Sequence, residues 1–335
     1  MIIEHGGALD KAIARFGGKA QDWLDLSTGI NPEHFPLPEL PAYLWNRLPD
    51  EGLLQQVLAA ARSYYGTGQN APIVASSGTQ ALIQLIPRLL EPSTVAVLGP
   101  TYQEHAAAFR AASWNVVECA TLDDIPEDVR VVTIVNPNNP DGRIVARHDL
   151  LELARKLGKR GGFLIVDEAF ADPSPEVSIA SHAANEPLIV LKSFGKFFGL
   201  AGVRLGFLLA NDEFVQRVTD RLGPWAVAGP TLAIALHAFE NTRELEAFRS
   251  RINTRRAELA KSLTHCQLIE VGGTALFSLI SHDNAHSIYD GLCERHILVR
   301  KFAYAPNWLR IGLAPDQAGL KRLEQALQDI LHLQK

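Results

Sequence analysis

Apolar and polar positions along this chain follow two rhythms. From Ile73 onward, short unbroken apolar runs (IVAS, TVAVLGP, WNVVEC, VVTIV, FLIVD, LIVL) alternate with longer segments in which leucine and alanine recur every three or four residues, such as SSGTQALIQLIPRLL, TYQEHAAAFRAA and HDLLELARKLGKRG. An unbroken run fits a strand covered on both faces, and the longer spacing fits an amphipathic helix. Their alternation predicts an α/β fold around a mostly parallel sheet, with ligands at the carboxyl ends of the strands. The first 50 residues break the rhythm: His5-Gly6-Gly7, then LDLSTGINP from Leu24, then prolines at 32, 36, 38, 41 and 49. So many prolines predict an irregular, extended arm. A helix is expected from about Leu53 to Tyr65, stopped by Gly66. After LGFLLAN, residues 212–262 read as largely helical with a break at RLGPWAVAGP. From Cys266, QLIEV, TALFSLI, a helix near 285–295, ILVRKF, WLRIGLA and a terminal helix over about 316–332 predict a small α+β domain. The chain therefore divides into an arm (1–50), a large domain (51–240) and a small C-terminal domain (241–335).

Composition narrows the classes. With 335 residues and 47% hydrophobic content the chain can bury a substantial core. Lys+Arg 32 against Asp+Glu 37 leaves a net charge of -5, and no basic run marks a nucleic-acid footprint. No uncharged apolar segment approaches the roughly 18 residues of a membrane span, and MIIEHGGALDK lacks a signal-peptide core, so a cytoplasmic protein is expected. Cys119, Cys266 and Cys293 are widely spaced and read as packing residues. No P-loop, no dinucleotide fingerprint and no metal-ligand spacing is present, so no metal is expected.

The candidate chemistry gathers where strands end. In VLKSFGKFFGLAGVRLGF, from Val190 to Phe207, a Ser/Gly-rich turn carries Lys196 and a glycine-broken loop carries Arg204. A lysine set among glycine and phenylalanine can be partly desolvated, which favours the neutral amine able to form a Schiff base; the alternative is a lysine on an exposed turn. Asp167 ends FLIV, Asn139 follows VVTIV, Tyr102 follows TVAVLGP, and Gly78-Thr79-Gln80 opens a helix. A helix N-terminus with a glycine and unpartnered amides suits a phosphate. A pyridine aldehyde cofactor with a phosphate tail needs a lysine, an anion at its ring nitrogen, a donor for its phenolic oxygen, a flat surface and a phosphate cup. Each need meets a candidate here.

Asn139-Pro-Asp-Gly142, VDEAF at 166–170, and Ser193-x-x-Lys196 followed eight residues on by Arg204 resemble the class I/II aminotransferases, pyridoxal-phosphate enzymes of fold type I, over nearly the whole chain. Within that family the chain is similar to the histidinol-phosphate aminotransferase branch. It is more similar still to the threonine-phosphate decarboxylases of cobalamin biosynthesis, through the HGG arm, LDLSTGINP, PWAV at Trp225 and the phenylalanine of DEAF. The resemblance implies pyridoxal 5'-phosphate as cofactor, with Lys196 bonded to its aldehyde, Asp167 at the ring nitrogen and Asn139 at the phenolic oxygen. It also implies Tyr102 stacked on the ring, and Gly78, Thr79, Gln80, Ser193 and Arg204 at the phosphate. Arg310, Arg300 and His5 would take the substrate, a phosphorylated amino acid, and a homodimer is implied. Two departures stand out. Leu48 precedes Pro49-Asp50 where the family often has a tyrosine that reaches the neighbouring subunit, and Phe170 replaces a tyrosine. The expected reaction is decarboxylation of O-phospho-L-threonine to 1-amino-2-propanol phosphate, and the alternative is a histidinol-phosphate or related aminotransferase.

Overall fold

The computed structural model describes residues 5–333, with side chains as far as residue 331. The N-terminal part holds helix α1 (Leu9–Phe16) and strand β1 (Leu24–Asp25). Then follow α2 (Tyr43–Asn46), α3 (Glu51–Tyr64), β2 (Ile73–Ser76), α4 (Thr79–Leu89), β3 (Thr94–Leu98), α5 (Glu104–Ala111), β4 (Asn115–Cys119) and β5 (Val131–Val135). The alternation continues through α6 (Arg147–Gly158), β6 (Phe163–Asp167), β7 (Leu188–Ser193), α7 (Phe194–Phe197), β8 (Gly206–Leu209), α8 (Asp212–Leu222), α9 (Gly229–Glu240) and α10 (Thr242–His265). The C-terminal part is β9 (Ile269–Thr274), β10 (Phe277–Ser281), α11 (Ala285–Glu294), β11 (Ile297–Leu298), β12 (Arg300–Phe302), β13 (Ala305–Gly312) and α12 (Gln317–Leu333).

Two compact units result. The larger comprises Phe35–Asn139 and Arg143–Ala247; the smaller combines the N-terminal part to His34 with Pro140–Gly142 and the chain from Phe248. The larger unit is built on a seven-stranded sheet in the order β2-β8-β7-β6-β5-β3-β4. β4, β3, β5, β6 and β7 are parallel, and β8 alone runs against its neighbours β7 and β2. The carboxyl ends of β2 to β7 therefore share one edge, and β8 starts from it.

The apolar stripes read from the sequence pack onto this sheet. Leu82, Ile83 and Ile86 of α4, Phe109 of α5 and Phe214 and Val218 of α8 bury against Val97, Ile165, Ile189, Leu191 and Leu208. Each such side chain stabilises the fold by roughly 1.5–3 kcal/mol. On the other face, Tyr64 and Tyr65 of α3 and Phe239 of α9 meet Phe207 of β8 and Phe194 and Phe198 at α7, with ring centroids 4.2–5.9 Å apart. This face also buries one ion pair, Lys192 Nζ to Glu168 Oε2 at 2.5 Å, at 2% and 0% side-chain exposure. Ser178 Oγ donates to Glu168, and the Lys192 ammonium lies 4.9 Å from the centroid of the Tyr65 ring.

The smaller unit contains an antiparallel sheet, β12-β13-β10-β9, and a parallel pair, β1-β11. The arm is less extended than its prolines predict. The prolines begin only at 32, and before them LDKAIARF forms α1, whose Leu9, Ala12, Ile13 and Phe16 pack with Trp23, Tyr289, Cys293 and Leu298. All three cysteines are free and buried, and burial pushes the thiols of Cys266 and Cys293 up to about 11. Among the described residues, no helix is long and apolar enough to cross a membrane.

Candidate active site

The carboxyl edge of the large sheet collects nine of the sequence-predicted residues. Asp167, the last residue of β6, is 3% exposed. Its Oδ2 lies 2.9 Å from His105 Nε2, and its Oδ1 accepts from the Ala169 N–H at 3.0 Å. Because an ionised carboxylate only accepts, His105 carries its proton on Nε2. His105, itself 2% exposed, was not singled out from the sequence. The one available signal was its place on the apolar stripe of α5 with Ala108 and Phe109.

The phosphate candidates meet at the start of α4. Gly78 caps this helix with φ 88°, and a Cβ there would stand 2.6 Å from Arg204 Nη2. The guanidinium thus fills the space a side chain would take, beside the first turn of α4. β8 comes equally close: a Cβ on Gly206 would meet Thr79 N at 2.5 Å. Register explains the meeting, since Gly206 pairs with both Ser76 and Ser193 and so sits between the end of β2 and the end of β7. Arg204 adopts the left-handed region at φ 56°, and the Thr231 hydroxyl of α9 donates to the neighbouring Val203 carbonyl at 2.9 Å. Strain in a non-glycine residue of this kind persists where the surroundings fix it, and it clusters at ligand sites.

Lys196 is half-buried in the single turn of α7, directly after β7. Beneath it lie Phe194, Phe197 and Phe198, all fully buried, with Phe194 and Phe198 stacked at 4.2 Å. Ser193, 8% exposed, ends β7. Asn139 is half-buried in the turn after β5, whose base is tied down by bonds from Thr101 Oγ1 to Asn138 Oδ1 at 2.6 Å and from Asn138 Nδ2 to the Pro100 carbonyl at 3.0 Å. Tyr102 is half-buried, with its ring edge-on to His105 at 6.0 Å and its hydroxyl donating to Gln80 Oε1 at 3.2 Å. Phe170 is buried. The donor set, the buried carboxylate and the cradle at Gly78 fit a phosphorylated pyridine aldehyde.

The other three predicted residues belong to the smaller unit. Arg300 and Arg310 are directly paired across β12 and β13. Like charges placed so are destabilising in a sheet unless an anion joins them. Arg310 is 6% exposed, donates from Nη2 to the Ser27 carbonyl at 2.6 Å, and lies over the Phe277 ring. Burial first, and then Arg300, lower its pKa to about 10, so it remains a cation at neutral pH. Burial pushes the nearby Tyr304 phenol up to about 12, against the pull of both arginines, and it stays a neutral donor. His5 is exposed. The glycines after it lie on the same strand end: Gly7 N–H donates to Ser27 Oγ at 2.7 Å, and a Cβ on Gly6 would stand 3.5 Å from Arg310 Nη2.

The family profile Aminotransferase class I and II matches residues 42–327. The chain belongs to this family. Two relatives cover 97% of the chain and 97% of their own length: a threonine-phosphate decarboxylase from Sinorhizobium sp., 47% identical over 327 residues, and one from Pseudomonas aeruginosa, 42% identical over 330 residues. A histidinol-phosphate aminotransferase from Haemophilus influenzae is 28% identical over 89% of both chains. Among solved structures, histidinol-phosphate aminotransferase from Sinorhizobium meliloti in complex with pyridoxal-5'-phosphate superposes with TM-score 0.84 at 18% identity, covering 100% of this chain and 96% of that one. L-Threonine-O-3-phosphate decarboxylase from Porphyromonas gingivalis superposes with TM-score 0.73 at 20% identity, covering 92% and 99%. At these identities the superpositions establish the shared fold: fold type I, with the large, mostly parallel sheet and the C-terminal antiparallel sheet.

Proposed function

We propose that this protein is a pyridoxal-phosphate-dependent carboxy-lyase that converts O-phospho-L-threonine to 1-amino-2-propanol O-2-phosphate in cobalamin biosynthesis. The observation that carries this reading is 47% identity to a threonine-phosphate decarboxylase along 97% of both chains. When bound, pyridoxal phosphate supplies an electron sink for the pair left at the α-carbon as carbon dioxide departs. The protein's own groups do the rest. Asp167, held by His105, fixes negative charge at the ring nitrogen. Lys196 provides the amine for the cofactor aldehyde, and it is a candidate to carry the proton that replaces the carboxylate. Asn139 takes the phenolic oxygen and Tyr102 the ring face. The backbone at Gly78, Thr79 and Gln80, with the side chains of Ser193 and Arg204, takes the cofactor phosphate.

In the smaller unit, Arg300 and Arg310 with the His5 arm take the substrate's two anionic groups. With the phosphate anchored by the paired arginines, the α-carboxylate would be left unclamped, as its loss requires. An arginine that instead held the carboxylate would keep it from leaving and favour amino transfer. Purified protein loaded with cofactor should release carbon dioxide from phosphothreonine with no acceptor present. Formation of glutamate on addition of 2-oxoglutarate, with no carbon dioxide released, would assign it to the aminotransferases instead.

A homodimer is part of this proposal. Tyr43, Trp45 and Leu48, with Leu37 and Trp225, are 50–66% exposed on the larger unit, an apolar set suited to burial against a second copy. Leu48 in this set supplies apolar surface where the family often places a tyrosine. The three free thiols fit a reducing compartment such as the cytoplasm.

A further inference from the structure

Gln80 occupies the first turn of α4, beside the phosphate cup, yet its side chain is engaged elsewhere. Its Nε2 donates to Glu104 Oε2 at 2.8 Å, and its Oε1 lies 3.2 Å from the Tyr102 hydroxyl. The chemistry of the three groups sets the direction of both bonds. The Glu104 carboxylate only accepts, so the amide must turn its NH2 group toward it. The amide oxygen then faces Tyr102, whose O–H must donate. Tyr102 is thereby held at both ends: its hydroxyl by Gln80, and its ring by the edge-on contact with His105, which Asp167 fixes at 2.9 Å.

We propose that Gln80 and Glu104 are positioning residues that fix the Tyr102 ring in the plane on which the cofactor pyridine lies. This rests on the pyridoxal-phosphate reading and assigns Gln80 a role beyond the phosphate. A tyrosine free to rotate must be ordered each time the cofactor binds, whereas one already clamped presents its face in advance. The bond that holds the Tyr102 hydroxyl joins two neutral groups, so its loss corresponds to roughly a five- to tenfold change in an equilibrium constant.

The test uses the full chain freed of cofactor and titrated with pyridoxal 5'-phosphate and, separately, with pyridoxal, which lacks the phosphate. Binding is read from the visible absorbance and circular dichroism of the bound ring. Gln80→Ala and Glu104→Ala should each weaken binding of both compounds about five- to tenfold and reduce the dichroism. In a Tyr102→Phe background, which removes the clamped hydroxyl, Gln80→Ala should add little further, because both changes break the same chain of bonds. If Gln80→Ala weakens only the phosphorylated compound, or multiplies the effect of Tyr102→Phe in full, Gln80 is a phosphate ligand and the proposal fails. Should the unaltered protein take up neither compound, the cofactor reading itself fails, and that result is separate from a failure of the clamp. Comparing two ligands within one variant also removes differences in folding from the result.

Discussion

Asp167, at 3% exposure, is held in place by the donors that His105 Nε2 and the Ala169 amide supply. A charge-assisted bond of this kind contributes roughly 1.5–3 kcal/mol. His105→Leu should therefore lower kcat for carbon dioxide release by about 10- to 150-fold, measured at saturating cofactor so that weakened binding does not contribute. An unchanged kcat would mean that the bond plays no part in turnover. Asp167 is legible in the sequence because it ends an apolar run inside a short motif. Its partner is not, because His105 stands 62 positions away and looks like any helix residue among alanines. The Lys192–Glu168 pair escapes for the same reason. Nothing in VLKSFG distinguishes a lysine at 2% exposure from one in solvent, and only the folded chain brings Glu168 and the Tyr65 ring to it.

The proposed phosphate cup lies where two elements pack closer than side chains allow. β8 passes α4 at a distance where a Cβ on Gly206 would stand 2.5 Å from Thr79 N and 2.8 Å from Gly78 C, both backbone atoms that cannot swing away. Gly206→Ala should therefore push strand and helix start apart. The expected loss is about 1–3 kcal/mol of stability, read from denaturant unfolding, together with weaker cofactor retention. Unchanged stability and retention would show that the junction is not so tightly set. The alternation of apolar runs and helical spacing revealed these elements in order, including the antiparallel LGFLL run. The pairing of Gly206 with both Ser76 and Ser193 was not legible, because strand order is a matter of topology rather than of periodicity. Helix α1 was also missed: its eight residues, LDKAIARF, precede every proline that argued for an extended arm.

A protein of this size leaves few large aromatic residues in water without a use for them. Trp45 is 66% exposed on α2 and Trp225 is 58% exposed, so the proposed dimer should depend on such positions. Trp45→Glu is expected to shift the protein toward monomer in sedimentation velocity at micromolar concentration; an unaltered dimer would place the interface elsewhere, and a wild-type monomer would end the dimer proposal. For the chain as a whole, periodicity and a handful of short motifs were enough to establish the class of fold and the family, and to single out Lys196, Asp167 and Arg204 as candidates for the site. They suffice because each of these sits in a local turn whose geometry its own neighbours dictate. The folded structure alone decided which side chains meet around the site: His105 against Asp167, the Arg204 guanidinium against Gly78, and Gln80 between Tyr102 and Glu104. These are contacts between segments far apart in sequence, set by strand order and packing, and periodicity along one segment carries no information about which distant segment will lie against it.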